Sequence, residues 1–214
     1  MEYNINYEYI VRYLQHMTQE KDPLLRELRR YGKEHEVPVS QPETAAFLRF
    51  LCGVKQPERI LEIGTAIGLS AILMAKACRG RVVTLERDET MVAAARENIK
   101  KSGLEHRIQL IAGDAAETLP GLQESFDLVF MDAAKGQYEA FLDQIHLSPG
   151  GVLVCDNVLY QGMTATDELV VRRKITIVKR LRSFLDRLMN DERYVTSLLP
   201  LGDGVALAYR KEEL

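Results

Sequence analysis

Two apolar runs in this sequence end in an acid. Leu128 to Met131 leads into Asp132, followed by Ala133-Ala134-Lys135-Gly136-Gln137-Tyr138, and Val152 to Cys155 leads into Asp156 and Asn157. Short apolar runs bounded by turn residues read as buried strands. If both finish at one sheet edge, Asp132 and Asp156 meet there, and two unpaired anions repel unless a cation joins them. Asn157 adds a neutral oxygen. Two carboxylates and an amide, without imidazole or thiolate, form a hard-oxygen set that suits Mg²⁺, Mn²⁺ or Ca²⁺ over zinc. Taken singly, either acid could instead cap a loop or a helix.

Three further segments carry residues suited to binding. Glu62-Ile63-Gly64-Thr65-Ala66-Ile67-Gly68-Leu69-Ser70 combines two glycines, which let backbone turn tightly and approach a ligand, with hydroxyls near the start of a helix. It departs from the dinucleotide pattern G-x-G-x-x-G at Ala66 and Leu69, which disfavours pyrophosphate and leaves a simple packing turn open. Glu86 follows the next apolar run, about one βα unit on, where an acid can accept both hydroxyls of a ribose. Gly113-Asp114-Ala115 follows the run after that. This small-acidic pair could lie along an adenine ring, and Asp114 could equally be a helix N-cap. Together these positions suit an adenosine without a diphosphate.

The elements that must position them follow from periodicity. Up to about Val54 the chain reads as helical, with Tyr9, Ile10, Tyr13 and Leu14 on one face and Pro42 suited to a first helical turn. From Arg59 short apolar runs alternate with helical stretches, the pattern of βαβ units around a largely parallel sheet. The predicted strands are 60–63, 81–85, 108–111, 128–131 and 152–155. Val92, Ala95 and Ile99 mark a helix that stops at Gly103. Two more strands, 194–199 and 205–209, flank Gly202-Asp203-Gly204, and so short a connection favours an antiparallel pair. The expectation is an α/β fold with five parallel strands, a C-terminal hairpin, helices on both faces and an N-terminal helical cap. It is read as one domain over residues 1–214, with the cap at 1–54 and the sheet core at 59–214.

Composition narrows the class. Hydrophobic residues are 46% and charged residues 28% of the 214, globular values. No apolar run approaches the ~18 to 20 residues of a membrane span, and the polar N-terminus lacks the pattern of a secretory signal, so a soluble cytoplasmic protein is expected. Cys52, Cys78 and Cys155 are far apart in apolar segments and read as buried reduced thiols. His16, His35, His106 and His146 show no ligand spacing. Against a net charge of −3, the stretch from Arg172 to Arg187 carries seven cations and one acid, Asp186. It reads as a nucleic-acid contact, a solvated helix face or a dimer surface.

The segments EIGTAIGLS at 62–70, MDAAKGQY at 131–138 and DNVLYQG at 156–162, with Glu86, carry a family resemblance. The chain resembles, nearly end to end, the cation-dependent O-methyltransferases that include the catechol and caffeoyl-coenzyme-A enzymes. VKQPERILEIGTAIGLSAI, DNVLYQGM and the terminal LPLGDGVA are most similar to the bacterial tRNA 5-hydroxyuridine methyltransferases, which make 5-methoxyuridine at the wobble position. The resemblance implies a Rossmann-like class I methyltransferase sheet and S-adenosylmethionine as cofactor, held by Ser40, Glu62, Gly64, Ser70, Glu86, Asp114, Ala115 and Asp132. It also implies Asp132, Asp156 and Asn157 as Mg²⁺ ligands, Lys135 as general base beside Asp132, and a homodimer. Arg172, Arg173 and Lys174 are the candidate contacts to a tRNA anticodon arm.

Catechol and 5-hydroxyuridine each present two neighbouring oxygens, so either could chelate the cation. Lys135 could take the acceptor's proton if burial and the cation depress its own pKa, and otherwise only steadies the anion. A small-molecule methyltransferase needs no basic surface, and a non-catalytic RNA-binding protein needs no intact ligand set. The N-terminal helices could serve a dimer interface or a lid.

Overall fold

The computed structural model describes residues 5–212. The chain opens with three helices, α1 (Glu8–Met17), α2 (Pro23–Glu34) and α3 (Pro42–Lys55). Asp22 caps α2 by accepting hydrogen bonds from the amides of Leu24 and Leu25, and Pro23 and Pro42 stand in first turns, where a missing N–H costs nothing. Four βα steps and a fifth strand follow: β1 (Arg59–Ile63), α4 (Leu69–Ala77), β2 (Arg81–Glu86), α5 (Glu89–Ser102), β3 (Ile108–Ala112), α6 (Ala115–Thr118), β4 (Phe126–Met131), α7 (Tyr138–Leu142) and β5 (Leu147–Asp156). The helix α8 (Ile175–Asn190) then leads into the hairpin β6 (Tyr194–Leu199) and β7 (Val205–Arg210).

The seven strands form one sheet in the order β3-β2-β1-β4-β5-β7-β6. The five strands up to β5 pair in parallel, and β7 lies antiparallel to both β5 and β6. Alternate residues of each strand feed two apolar layers. Ile60, Leu128 and Phe130 pack with α2, α3, α4 and α5, whereas Leu61, Val129 and Met131 pack with α7 and α8. Helices on both faces explain why α4 is buried almost all round and why the parallel strands read as continuous apolar runs.

One boundary differs from the sequence expectation. β5 begins at Leu147, ahead of the predicted Val152, because Phe126 pairs with Leu147 before the register shifts and resumes at Leu128 with Val152. The Pro149-Gly150 step sits in that irregularity, with Gly150 in the left-handed region at φ 73°. Other predicted elements end within two residues of their observed limits, and Gly103 ends α5 in the left-handed region at φ 70°. The cysteines are buried free thiols, and all four histidines are exposed. Among the described residues no helix is long and apolar enough to cross a membrane.

Candidate active site

Strand order reverses between β1 and β4, and a cavity of about 510 Å³ opens at the carboxyl ends of the strands there. Register decides which side chains reach it. Ile63 pairs with Met131 and Met131 with Cys155, so the residues that follow, Asp132 and Asp156, stand side by side at the carboxyl edge of the sheet. The Asp132 amide donates to Ile63 O at 2.9 Å, which ties the ends of β1 and β4 together. Gly64 allows this approach, since a Cβ there would lie 2.2 Å from Asp132 O and its φ is 102°.

Ten of the residues singled out in the sequence line this cavity: Ser40, Gly64, Ser70, Glu86, Asp114, Ala115, Asp132, Lys135, Asp156 and Asn157. Glu62 does not. It is fully buried in β1, where its carboxylate accepts the Thr84 hydroxyl, which is itself hydrogen-bonded to that of Thr65. Burial, reinforced by the charges of Asp132 and Glu86, pushes the Glu62 carboxyl up to about 8, against the pull of Ser70 and Thr84.

Glu86 is fixed by backbone. Its Oε2 accepts from the Ala66 amide and its Oε1 from the amides of Arg87 and Asp88, each at 2.9 Å. This braces the Gly64–Gly68 turn against the end of β2 and orients the carboxylate toward the cavity wall. For Asp114 both sequence readings hold, since it caps α6 through the Ala116 amide at 2.9 Å and also lines the cavity. Ser40 enters from the segment before α3, its hydroxyl oxygen buried without a hydrogen-bond partner.

The acidic end has an unexpected organiser. The Lys135 ammonium donates to Asp132 Oδ1 at 2.6 Å and to the Tyr138 hydroxyl at 3.0 Å. That hydroxyl lies 3.0 Å from Met131 O and 2.9 Å from Asp156 O, the last carbonyls of β4 and β5. Tyr138 is fully buried, its ring held edge-on by Phe184 of α8 with centroids 5.5 Å apart. One tyrosine thus links both acid-bearing strand ends to the lysine. Sequence reasoning quoted Tyr138 in its motif without giving it a role, because a tyrosine opening a short apolar helix reads as core.

Electrostatics in the cavity favour a bound cation. Burial lifts the Asp156 carboxyl far above the usual carboxylate range, and the charges of Asp132 and Asp203 lift it further, against Lys135. Its Oδ1 accepts the Asn157 amide at 2.7 Å, whereas Oδ2 is buried with no partner. A buried carboxylate oxygen left unpaired in a cavity that Asp132 and Asn157 also line fits a hard divalent ion. Among the described residues no three His, Cys, Asp or Glu side chains are grouped as a metal site, so the asparagine is needed to complete the set. For Lys135, burial alone would lower the pKa. Tyr138, Asp132 and Asp156 outweigh it, and the net direction is upward. In this arrangement Lys135 is a cation paired with Asp132.

Arg172, Arg173 and Lys174 form a 3-10 turn ahead of α8, outside the cavity. Both arginines are exposed, and the Lys174 ammonium stands 5.3 Å from the ring centre of Tyr160, in the loop that follows Asn157. The basic segment divides in two. Arg182 pairs with Asp167 at 2.7 Å, and Arg187 pairs with Asp143 and Glu139. Among the described residues no carboxylate pairs with Arg172, Arg173, Lys179 or Arg180, the last donating to Gly136 O at 3.3 Å beside the cavity.

Comparison with known proteins agrees with this geometry. A family model described as O-methyltransferase matches residues 15–211. A catechol O-methyltransferase from Niastella koreensis is 37% identical over 182 residues, covering 79% of this chain and 81% of that protein. The catechol O-methyltransferase domain-containing protein 1 of Mus musculus is 32% identical over 209 residues, covering 92% and 78%. Among solved structures, an SAH-bound methyltransferase of Podospora anserina superposes with a TM-score of 0.85 at 31% identity over 96% of this chain and 95% of that one. An O-methyltransferase from Bacillus cereus in complex with SAH gives 0.83 at 28% identity over 95% and 97%. With a family model and relatives matching over most of its length, the chain belongs to the O-methyltransferase family.

Proposed function

We propose that this chain methylates a hydroxyl oxygen with S-adenosylmethionine as donor and a divalent cation, Mg²⁺ or its analogues Mn²⁺ and Ca²⁺, held by Asp132, Asp156 and Asn157. The observation that carries the reading is the unpartnered, buried Asp156 Oδ2 next to Asp132 and Asn157. The bound cation would lower the pKa of an acceptor hydroxyl and neutralise the carboxylates around it. The cofactor supplies an electrophilic methyl group on a sulfonium. Glu86 suits its ribose and Asp114 with Ala115 its adenine, with Ser40, Gly64 and Ser70 lining the same cavity. Solved relatives that hold SAH or SAM support the choice of cofactor. Glu62, buried within β1, is not part of that lining.

The chain's own residues then do three things. The side chains at the ends of β4 and β5 orient the acceptor, and the enclosed site limits water around the reacting oxygen. Lys135 holds negative charge on that oxygen as long as Asp132 keeps it protonated. Drawing the Asp132 charge elsewhere removes one of the influences that keep Lys135 protonated and shifts it toward the free amine, the form that can take the acceptor's proton.

The acceptor we favour is 5-hydroxyuridine at the wobble position of tRNA, made into 5-methoxyuridine. It offers two adjacent oxygens, and the uncompensated cations at Arg172, Arg173 and Lys179 suit the phosphates around an anticodon. A catechol-like small molecule is the second reading, supported by the relatives of that name. A non-catalytic RNA-binding role is disfavoured because no member of the ligand set is missing. The homodimer implied by the resemblance is part of the proposal and is read by light scattering. The deciding experiment supplies methyl-labelled cofactor and Mg²⁺ with either undermodified tRNA or catechol, with and without chelator. Label should enter tRNA at the hydroxylated uridine and stop on chelation. Label only in catechol selects the second reading, and full transfer in chelator overturns the cation site.

A further inference from the structure

The loop after Asn157 holds an uncommon backbone. Asn157, Tyr160 and Gln161 have φ of 57°, 48° and 59°, and Gly162 follows at 83°. Left-handed conformations are unfavourable for residues with a Cβ and persist only where neighbouring contacts impose them. Here those contacts come from the turn between β6 and β7. The Val158 amide donates to Gly204 O and the Leu159 amide to Asp203 O, both at 3.0 Å, and the Gln161 amide donates to Asp203 Oδ1 at 2.6 Å. The turn lies flush on the loop, because a Cβ at Gly204 would fall 2.3 Å from Leu159 Cγ. Two of these bonds are backbone to backbone and any residue would supply them. The third needs a short side-chain acceptor at position 203.

We infer that Asp203 is a positioning residue that pins the 157–162 loop through Gln161 and so fixes Asn157, which lines the cavity, together with the left-handed Tyr160 behind it. The inference rests on the proposed function for its consequence at the cation site, but the pinning itself does not. Asp203 is half-buried and acts electrostatically on Asp156, so a role through charge or direct coordination is the competing account. The two accounts differ in what an amide can replace. Asparagine keeps the Oδ1 acceptor and loses the charge, whereas alanine loses both.

The test uses the full-length protein with Asp203→Ala and Asp203→Asn and reads three quantities. Amide hydrogen exchange at 158–161, without ligand, should quicken about tenfold in Asp203→Ala, the factor expected for one lost hydrogen bond, and stay near wild type in Asp203→Asn. Mn²⁺ affinity, measured by paramagnetic resonance with the metal alone, should fall roughly tenfold or more in Asp203→Ala and be largely restored in Asp203→Asn. Methyl transfer to the acceptor that takes label in the wild-type protein should follow Mn²⁺ affinity, with cofactor affinity unchanged. Unaltered exchange in Asp203→Ala, or Mn²⁺ binding as weak in Asp203→Asn as in Asp203→Ala, overturns the inference. A wild-type protein that binds no Mn²⁺ defeats the proposed function instead, and the exchange experiment still decides Asp203.

Discussion

Replacing Glu62 by glutamine isolates one electrostatic liability beneath the cavity. Glu62 is fully buried, and its carboxyl stands at about 8 in the folded chain against an ordinary value of 4.5. Between those two values the folded protein keeps a proton that the unfolded chain has released. Stability therefore falls as pH rises through that window and levels off above it. At about 1.4 kcal/mol for each pH unit, the whole window amounts to roughly 5 kcal/mol. Glutamine is neutral throughout, nearly isosteric, and its carbonyl can accept the Thr84 hydroxyl as the carboxylate does. Glu62→Gln and wild type should therefore be of similar stability near pH 5 and diverge as pH rises, the variant becoming more stable by several kcal/mol at pH 8. Chemical denaturation of both proteins across pH 5 to 9 reads the difference directly, because other titrating groups cancel between them. Parallel stability curves would refute the burial argument. A gap that kept widening above pH 9 would mean that the folded carboxyl holds its proton far more tightly than burial and nearby charge imply.

Other substitutions test the remaining links. Tyr138→Phe removes the hydroxyl that Lys135 shares with Met131 O and Asp156 O, and should cost about 1–3 kcal/mol on denaturation, the penalty for buried groups left unpaired. It should also slow transfer, while Phe184→Leu, which disturbs only the ring, changes the rate less. Lys135→Ala should lower the single-turnover rate by about 10²-fold or more with cofactor affinity little changed, the pattern of a group acting on the reacting oxygen. Equal losses in rate and cofactor binding would make it structural. Replacing Arg172, Arg173 and Lys174 together by alanine should reduce the salt dependence of tRNA binding by about two log units per log unit of salt, as for three lost phosphate contacts, and leave catechol turnover alone. An unchanged slope would assign the turn to another surface.

What the sequence disclosed follows the range of the interactions involved. Periodicity is local, so the strand runs, Pro42 in a first turn and Gly103 at a helix end were legible. The pairing of Asp132 with Asp156 was legible too, because parallel strands of similar length end at one edge. Contacts between distant segments were not. Arg182 and Arg187 read as part of one basic run, yet Asp167, Glu139 and Asp143 neutralise them from other elements. Glu62 and Glu86 read alike as acids near strand ends, but Glu62 lies within β1 and turns into the core while Glu86 closes β2 at the cavity. Tyr160 and Gln161 carry no glycine or asparagine to signal left-handed backbone, and their conformation is set by a turn some forty residues away.

The same charge balance fixes how ligands and protons are linked. Burial lifts the carboxyls of Glu62, Asp156 and Asp203, and Lys135 offsets Asp132, Asp156 and Asp203 only in part. Adding positive charge to this end of the sheet stabilises the ionised carboxylates and lowers their pKa values again, so protons must leave as a cation enters. On the proposed reading, Mn²⁺ or Mg²⁺ binding at pH 7 releases protons, and cation affinity rises with pH until these acids are already ionised, near 8 for Glu62. Calorimetric titration with the metal in buffers of different ionisation enthalpy counts the protons. Identical observed enthalpies in every buffer would mean that Asp156 is already ionised in the free protein, stabilised by Lys135 alone, and the case for a vacant cation requirement at Asp156 Oδ2 would fail with it.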